Sequence, residues 1–277
     1  MNIIPSLDFG GDGLPLHFLH ANGYPPASYQ PLIDSLTKQY RVFGMLLRPL
    51  WENARMEDLQ DWRPLSDDLL RLLSTRKDLP AIGVGHSVGA IVTLRAALRD
   101  PRKFRALILL DPVLFAPPIL FAWNMVRAVG LGNKLHPKIN GALKRRRAFD
   151  NLDLVFRGYR ARSVFRYVSD DALRAYIAGM TRPAQNGGYE LVYSPEWEAH
   201  IYLTGLRDFD LWKALPALTV PTLILRGAET DAFLPNAARL VQKKNPRIQV
   251  QTLERATHIL PLEHPQEIAE RIQKFLK

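Results

Sequence analysis

The 277-residue sequence contains no cysteine, which excludes a disulfide scaffold, a thiolate nucleophile and every cysteine-ligated zinc or iron–sulfur centre. It also lacks an unbroken apolar run of membrane-spanning length. The longest, residues 106–126, is cut by Asp111, Pro112, Pro117 and Pro118. Residues Met1 to Asp8 have neither a basic n-region nor an apolar core, so no signal peptide is expected and a cytoplasmic location is. Neither a G-x-x-x-x-G-K loop ending in Ser or Thr nor a strand-linked G-x-G-x-x-G occurs, and no histidine pair has metal-ligand spacing with a carboxylate. No cofactor and no metal are therefore expected. What is present is ordinary for a folded globular chain: 47% apolar and 23% charged residues.

Charge is unevenly spread. The formal net charge is +10, and residues 127–182 alone hold thirteen basic and four acidic side chains, centred on Lys144, Arg145, Arg146 and Arg147. A basic excess confined to one segment argues against nucleic acid as the partner, since no recognition motif accompanies it.

The first third alternates strand-like and helix-like runs. Leu14–Leu19, Arg41–Leu46, Ala81–Gly85 and Ala106–Leu110 read as strands. Helices are expected over residues 28–38 and 63–76, the latter with Leu65, Leu69, Leu72 and Leu73 on one stripe, and over 88–98, apolar nearly all round. Between about residues 113 and 205 strand-like runs vanish and helical spacing takes over, as in Leu173, Tyr176, Ile177 and Met180 behind the capping candidate Ser169. The alternation resumes with a strand at 221–226, a helix at 236–244, a strand at 248–253 and a final helix opened by Pro265. The fold class is therefore α/β, a mostly parallel sheet with helices on both faces. Residues 1–112 and 206–277 form the core domain and residues 113–205 a helical insertion.

One pentapeptide carries the chemistry. Gly85-His86-Ser87-Val88-Gly89 lies between a strand and a buried helix, where a G-x-S-x-G acts as a nucleophile elbow. A serine hydroxyl needs a base, and the base an orienting acid. Candidates follow in chain order: Asp231 within Gly227–Asp231, and His258 within Ala256–Pro261, each just past the carboxyl end of a strand, as Ser87 is. Asp111, after the strand ending at Leu110, is the rival acid and Glu229 a weaker one. His20 and His86 are expected to support the site by hydrogen bonding, and His17, His136, His200 and His264 to serve the surface or packing.

With these motifs, together with Thr257-His258-Ile259-Leu260-Pro261-Leu262-Glu263, the chain resembles a capped α/β-hydrolase fold protein over nearly its whole length outside the insertion. That resemblance implies a serine hydrolase that cleaves a carboxylic ester or similar acyl compound through an acyl-enzyme. His20-Ala21-Asn22-Gly23 is similar to the family's oxyanion loop, although the family usually has His-Gly where this chain has His20-Ala21, and it implies the N–H groups of Asn22 and Val88 as the oxyanion donors. The short stretch ahead of Leu14 implies an incomplete set of the family's first strands. Some family members place the acid where Asp111 stands. Serine in the elbow disfavours the dehalogenase and epoxide hydrolase chemistry of relatives that use a carboxylate there. Lactone, carbon–carbon and peracid chemistries run on the same residues, and some relatives of this fold are non-catalytic ligand receptors.

The insertion implies a cap over the site. Its aromatics, Trp123 and Trp197 among them, with His20 below, are expected to contact a small apolar acyl substrate. The apolar, proline-broken stretch from Val113 to Val126 followed by the basic segment also implies a weak association of the cap with an anionic membrane surface.

Overall fold

In the computed structural model, which describes residues 3–277, the alternating runs become one seven-stranded sheet. Met1 and Asn2, the start of the N-terminal run read above, lie outside the described residues. In chain order the strands are β1 (Ser6–Gly10), β2 (Leu14–Leu19), β3 (Tyr40–Met45), β4 (Ala81–His86) and β5 (Phe104–Leu110). After a long excursion come β6 (Ala148–Phe149), β7 (Thr181–Pro183) and β8 (Tyr189–Leu191), then β9 (Thr222–Gly227) and β10 (Gln249–Leu253). The main sheet runs β1-β3-β2-β4-β5-β9-β10, parallel throughout except for β1, which pairs antiparallel with β3 at the edge.

Side chains on a strand alternate between faces, and here both faces are covered. Leu107, Leu109 and Ile224 pack beneath helices Arg63–Ser74, Val88–Arg99 and Pro235–Lys244. Ile108, Leu110, Leu223 and Leu225 face helices Gln30–Leu36 and Pro265–Leu276 on the other side. β4 is buried at all six positions, and so are the first ten residues of helix Val88–Arg99, which explains their near-continuous apolar character.

The turn between β4 and that helix is sharp enough to need its glycines. A Cβ on Gly85 would sit 2.5 Å from the Gly89 carbonyl oxygen, and one on Gly89 would sit 2.4 Å from that of Leu19. Between them Ser87 adopts φ 57° and ψ −118°, a left-handed conformation that costs a non-glycine residue on the order of 1–3 kcal/mol. The strain lifts the serine hydroxyl clear of both strand and helix.

Two features differ from the sequence reading. The edge strand β1 has five residues, none of them buried and only Leu7 and Phe9 apolar, and it is held by pairing with β3 rather than by burial. The segment between β5 and β9 also contains a small antiparallel sheet, β6-β8-β7, whose strands of two or three residues are too short for any periodicity to register. Its helices do follow the reading: Ser169 caps helix Asp170–Met180 by accepting a hydrogen bond from the Ala172 N–H at 3.2 Å. None of the helices among the described residues is long and apolar enough to cross a membrane.

Candidate active site

Ser87, Asp111 and His258 follow β4, β5 and β10, so all three lie at the carboxyl edge of the sheet, where sites in open α/β folds form. The Ser87 hydroxyl donates to His258 Nε2 at 2.9 Å. On the other side of the ring, His258 Nδ1–H donates to Asp111 Oδ2 at 2.7 Å, which fixes the tautomer with the proton on Nδ1. Asp111 is fully buried, with φ 41°, and its carboxylate accepts two further hydrogen bonds, from the Gly227 N–H at 3.1 Å and from the Thr230 hydroxyl. Three donors therefore hold one carboxylate against one edge of the imidazole.

Asp231, the carboxylate expected to meet His258, forms no hydrogen bond to it. Asp231 is exposed and pairs with Lys138 Nζ at 3.1 Å, while Glu229 pairs with Arg166 and accepts from the Tyr167 hydroxyl at 2.8 Å. Both carboxylates pair with cations of the segment between β5 and β9 rather than with His258. Asp111 is already seated beneath the histidine loop because β5 lies between β4 and β9 in the sheet. The structure thus brings Ser87 and His258 together as expected and supplies Asp111, the rival, as the histidine's partner.

A cavity of about 640 Å³ opens over Ser87 and His258. Trp62, Val113, Phe115, Ile119, Trp123 and Leu206 form apolar wall, whereas Lys138, Arg166, Glu229 and Asp231 stand at a charged side. Trp123, expected from the sequence to contact substrate, lines this space. Trp197 does not: it is buried in the hydrophobic core with Tyr193 and Ile201, because helix Pro195–Thr204 turns that face inward. His20 is also removed from the cavity. It is fully buried, donates from Nδ1 to the Ala21 carbonyl at 2.9 Å and accepts the Leu47 N–H on Nε2 at 3.1 Å, so it pins the loop after β2.

Asn22 and Val88 both line the cavity. Val88 is the first residue of its helix, so its N–H has no intrahelical acceptor. The Asn22 N–H has no protein acceptor among the described residues, whereas the neighbouring Ala21 N–H is taken by the Tyr29 hydroxyl at 3.1 Å. The Asn22 side chain is anchored by the segment between β5 and β9: Tyr193 OH donates to its Oδ1 and its Nδ2 donates to the Glu198 carbonyl oxygen, both at 2.9 Å. Arg145, one of the basic run, holds the Glu198 carboxylate at 2.5 Å instead of facing solvent.

A second relay joins this loop to the histidine loop. Tyr29 OH donates to His86 Nδ1 at 2.8 Å, and His86 Nε2–H donates to the His258 carbonyl oxygen at 2.8 Å. His86 thereby supports the site by hydrogen bonding, as read from the sequence. Tyr29 and Thr230 had not been singled out. Thr230 lay inside the Gly227–Asp231 turn, but Tyr29 carried no local signal.

These histidines make a prediction for stability. Burial pushes His17 down to about pKa 3 and His20 down to about 4. An unfolded chain protonates such rings near pH 6.5. Below that pH the unfolded state binds more protons than the folded one, so the stability is complete above about pH 6.5 and is lost as pH falls towards 4. Thermal melts are expected to give a Tm that declines between pH 7 and 4.5, with a shallower decline in His17→Gln. Parallel slopes for the two proteins would contradict a neutral, buried His17.

The model of the Alpha/beta hydrolase family matches residues 18–271. Among curated relatives, the pimeloyl-(acyl-carrier protein) methyl ester esterase of Legionella pneumophila is 25% identical over 283 positions, which cover 100% of both chains. A type I acyl-CoA thioesterase of Penicillium brevicompactum is 29% identical over 159 positions, 51% of this chain; the match spans only 34% of that longer protein. Among solved structures, E-2-(acetamidomethylene)succinate hydrolase superposes with a TM-score of 0.76 at 22% identity, covering 99% of this chain and 98% of its own. The esterase and thioesterase names of these relatives support a hydrolase activity. On the match to 18–271 and the sheet that carries Ser87 and His258, the chain belongs to the α/β-hydrolase family.

Proposed function

We propose that the protein is a serine hydrolase that cleaves an oxygen or sulfur ester of an apolar acyl group through an acyl-enzyme on Ser87. The observation that carries this reading is the continuous hydrogen-bonded chain from the Ser87 hydroxyl through His258 to Asp111, at 2.9 and 2.7 Å. His258 Nε2 takes the serine proton as Oγ attacks the acyl carbon, and the buried Asp111 carboxylate stabilises the imidazolium that results. The N–H groups of Asn22 and Val88 donate to the tetrahedral oxyanion. His258 then passes its proton to the departing alkoxide or thiolate, and water repeats the sequence to release the acid. Asp231 and Glu229 take no part in proton transfer in this scheme. The segment between β5 and β9 acts as a cap, and its residues Ile119 and Trp123 bear on the acyl chain.

The apolar wall and the names of the relatives, which act on a methyl ester and on an acyl-CoA thioester, both support this substrate class. The test is covalent. A fluorophosphonate is expected to abolish hydrolysis of p-nitrophenyl butyrate in proportion to a single adduct, located by peptide mass spectrometry on Ser87. An adduct elsewhere, or the absence of both adduct and turnover of any ester or thioester, would refute the proposal.

A further inference from the structure

Helix Pro117–Ala128 has apolar residues on both sides. Ile119 and Trp123 line the cavity and Leu120 is buried. On the other side Pro118, Phe121, Ala122, Met125 and Ala128 are exposed, followed directly by Val129. Phe121, Met125 and Val129 follow an i, i+4, i+8 spacing and are 63%, 52% and 65% exposed. No charge interrupts this face; the helix's single charged residue, Arg127, points inward and donates to the Gly205 carbonyl oxygen at 2.6 Å. Leu131 and Leu135 continue the exposed apolar surface. Of the eleven large hydrophobic residues exposed among those described, eight fall between Phe121 and Val164.

That concentration coincides with the charge. Residues 117–166 hold eleven Lys and Arg against two Asp. Several of these cations are engaged, such as Lys138 with Asp231 and Arg145 with Glu198, but Lys134, Lys144, Arg157 and Arg162 have no carboxylate partner among the described residues. A stable monomer rarely leaves an exposed apolar face in water, and one followed in the same segment by unneutralised cations, with Lys134 lying between the exposed Leu131 and Leu135, is complementary to a surface that is apolar within and anionic at its boundary.

We propose that this face of the cap docks on an anionic lipid bilayer. Phe121, Met125 and Val129 enter the boundary between headgroups and acyl chains, while Lys134, Lys144, Arg157 and Arg162 meet the phosphates. The helix is too short to span the bilayer, so the contact is interfacial. Because the opposite side of the same helix walls the cavity, the substrate drawn from this surface is an acyl ester of the lipid phase. That last clause rests on the hydrolase reading; the docking does not.

The test uses the full chain in flotation assays with phosphatidylcholine vesicles, with and without 30 mol% phosphatidylglycerol. Wild type is expected to float with the anionic vesicles at least tenfold more strongly than with neutral ones. Raising NaCl from 50 to 500 mM should weaken that binding severalfold, and Lys134→Glu/Lys144→Glu should weaken it by about tenfold or more. Phe121→Ser/Met125→Ser/Val129→Ser is expected to lose binding while hydrolysing p-nitrophenyl butyrate at the wild-type rate. No flotation at low salt, or flotation that survives the triple substitution, would overturn the proposal. So would a wild-type dimer in sedimentation that the triple substitution dissociates without any vesicle binding, since a second copy would then cover the face. A chain that floats but hydrolyses no ester would keep the docking and remove the enzymatic reading.

Discussion

Substituting alanine for Ser87 is expected to lower kcat on p-nitrophenyl butyrate by about 10⁶-fold, the loss seen when a triad nucleophile is removed. Among the described residues, the Ser87 hydroxyl is the only side-chain group hydrogen-bonded to His258 Nε2, at 2.9 Å. Little else changes. Alanine keeps the Cβ and meets the same backbone strain at φ 57°, so Tm is expected to stay within a few degrees. Binding of the uncleaved ester, measured by competition, is expected to hold within a few-fold, because the apolar wall and the N–H groups of Asn22 and Val88 are untouched. A residual rate of about 10³-fold over water would remain from those donors and from positioning. A Ser87→Ala protein retaining more than about one per cent of wild-type kcat would remove the nucleophile assignment.

The second large effect separates the two carboxylates. Asp111→Asn is expected to reduce kcat by about 10⁴-fold, because an amide NH2 facing His258 Nδ1 favours the tautomer that places the proton on Nε2, where Ser87 needs an acceptor. Folding should survive, since the asparagine carbonyl at the Oδ1 position can still accept from the Gly227 N–H at 3.1 Å, and the Thr230 hydroxyl, which donates to Asp111 Oδ2, can turn to accept from the amide NH2 instead. Asp231→Asn removes only an exposed ion pair with Lys138, an interaction of about 0–1 kcal/mol, and kcat is expected to stay within about threefold. Steady-state kinetics of the two variants side by side decide the point. The reverse ranking would restore Asp231 as the acid and make the bond between His258 and Asp111 incidental.

Why one carboxylate was legible and its role was not follows from what a sequence pattern records. Ser87 was readable because two glycines, a strand and a buried helix must all coincide around it, and the close approaches at Gly85 and Gly89 are the physical form of that coincidence. His258 was readable as the histidine after the last strand. The acid was not, because Asp111, Glu229 and Asp231 all follow strands at the same edge, and position along the chain does not say which side chain turns under the ring. That choice depends on the left-handed backbone at Asp111 and on cations that engage the other two, both of which exist only once the chain has folded. The main sheet was legible for the opposite reason: β4 is buried at every position and β5 at all but Arg105, so both carry a nearly continuous apolar signal. β1 and the strands β6 to β8 are held mainly by backbone pairing, with a few apolar contacts at Phe9, Phe149 and Leu191, and leave no such mark. Trp197 shows the limit for single aromatics, since core packing and substrate contact ask for the same residue type.

The anchoring of Asn22 by Tyr193 and by the Glu198 carbonyl has a consequence for altering this protein. The segment between β5 and β9 and the loop after β2 are not separable modules. Replacing that segment would introduce a new pocket and, in the same stroke, untether the loop proposed to stabilise the oxyanion, unless the replacement reproduced a phenol and a carbonyl at matching positions. Selectivity is better re-engineered one wall residue at a time, at Phe115 or Ile119, which face the pocket and hold no part of that loop.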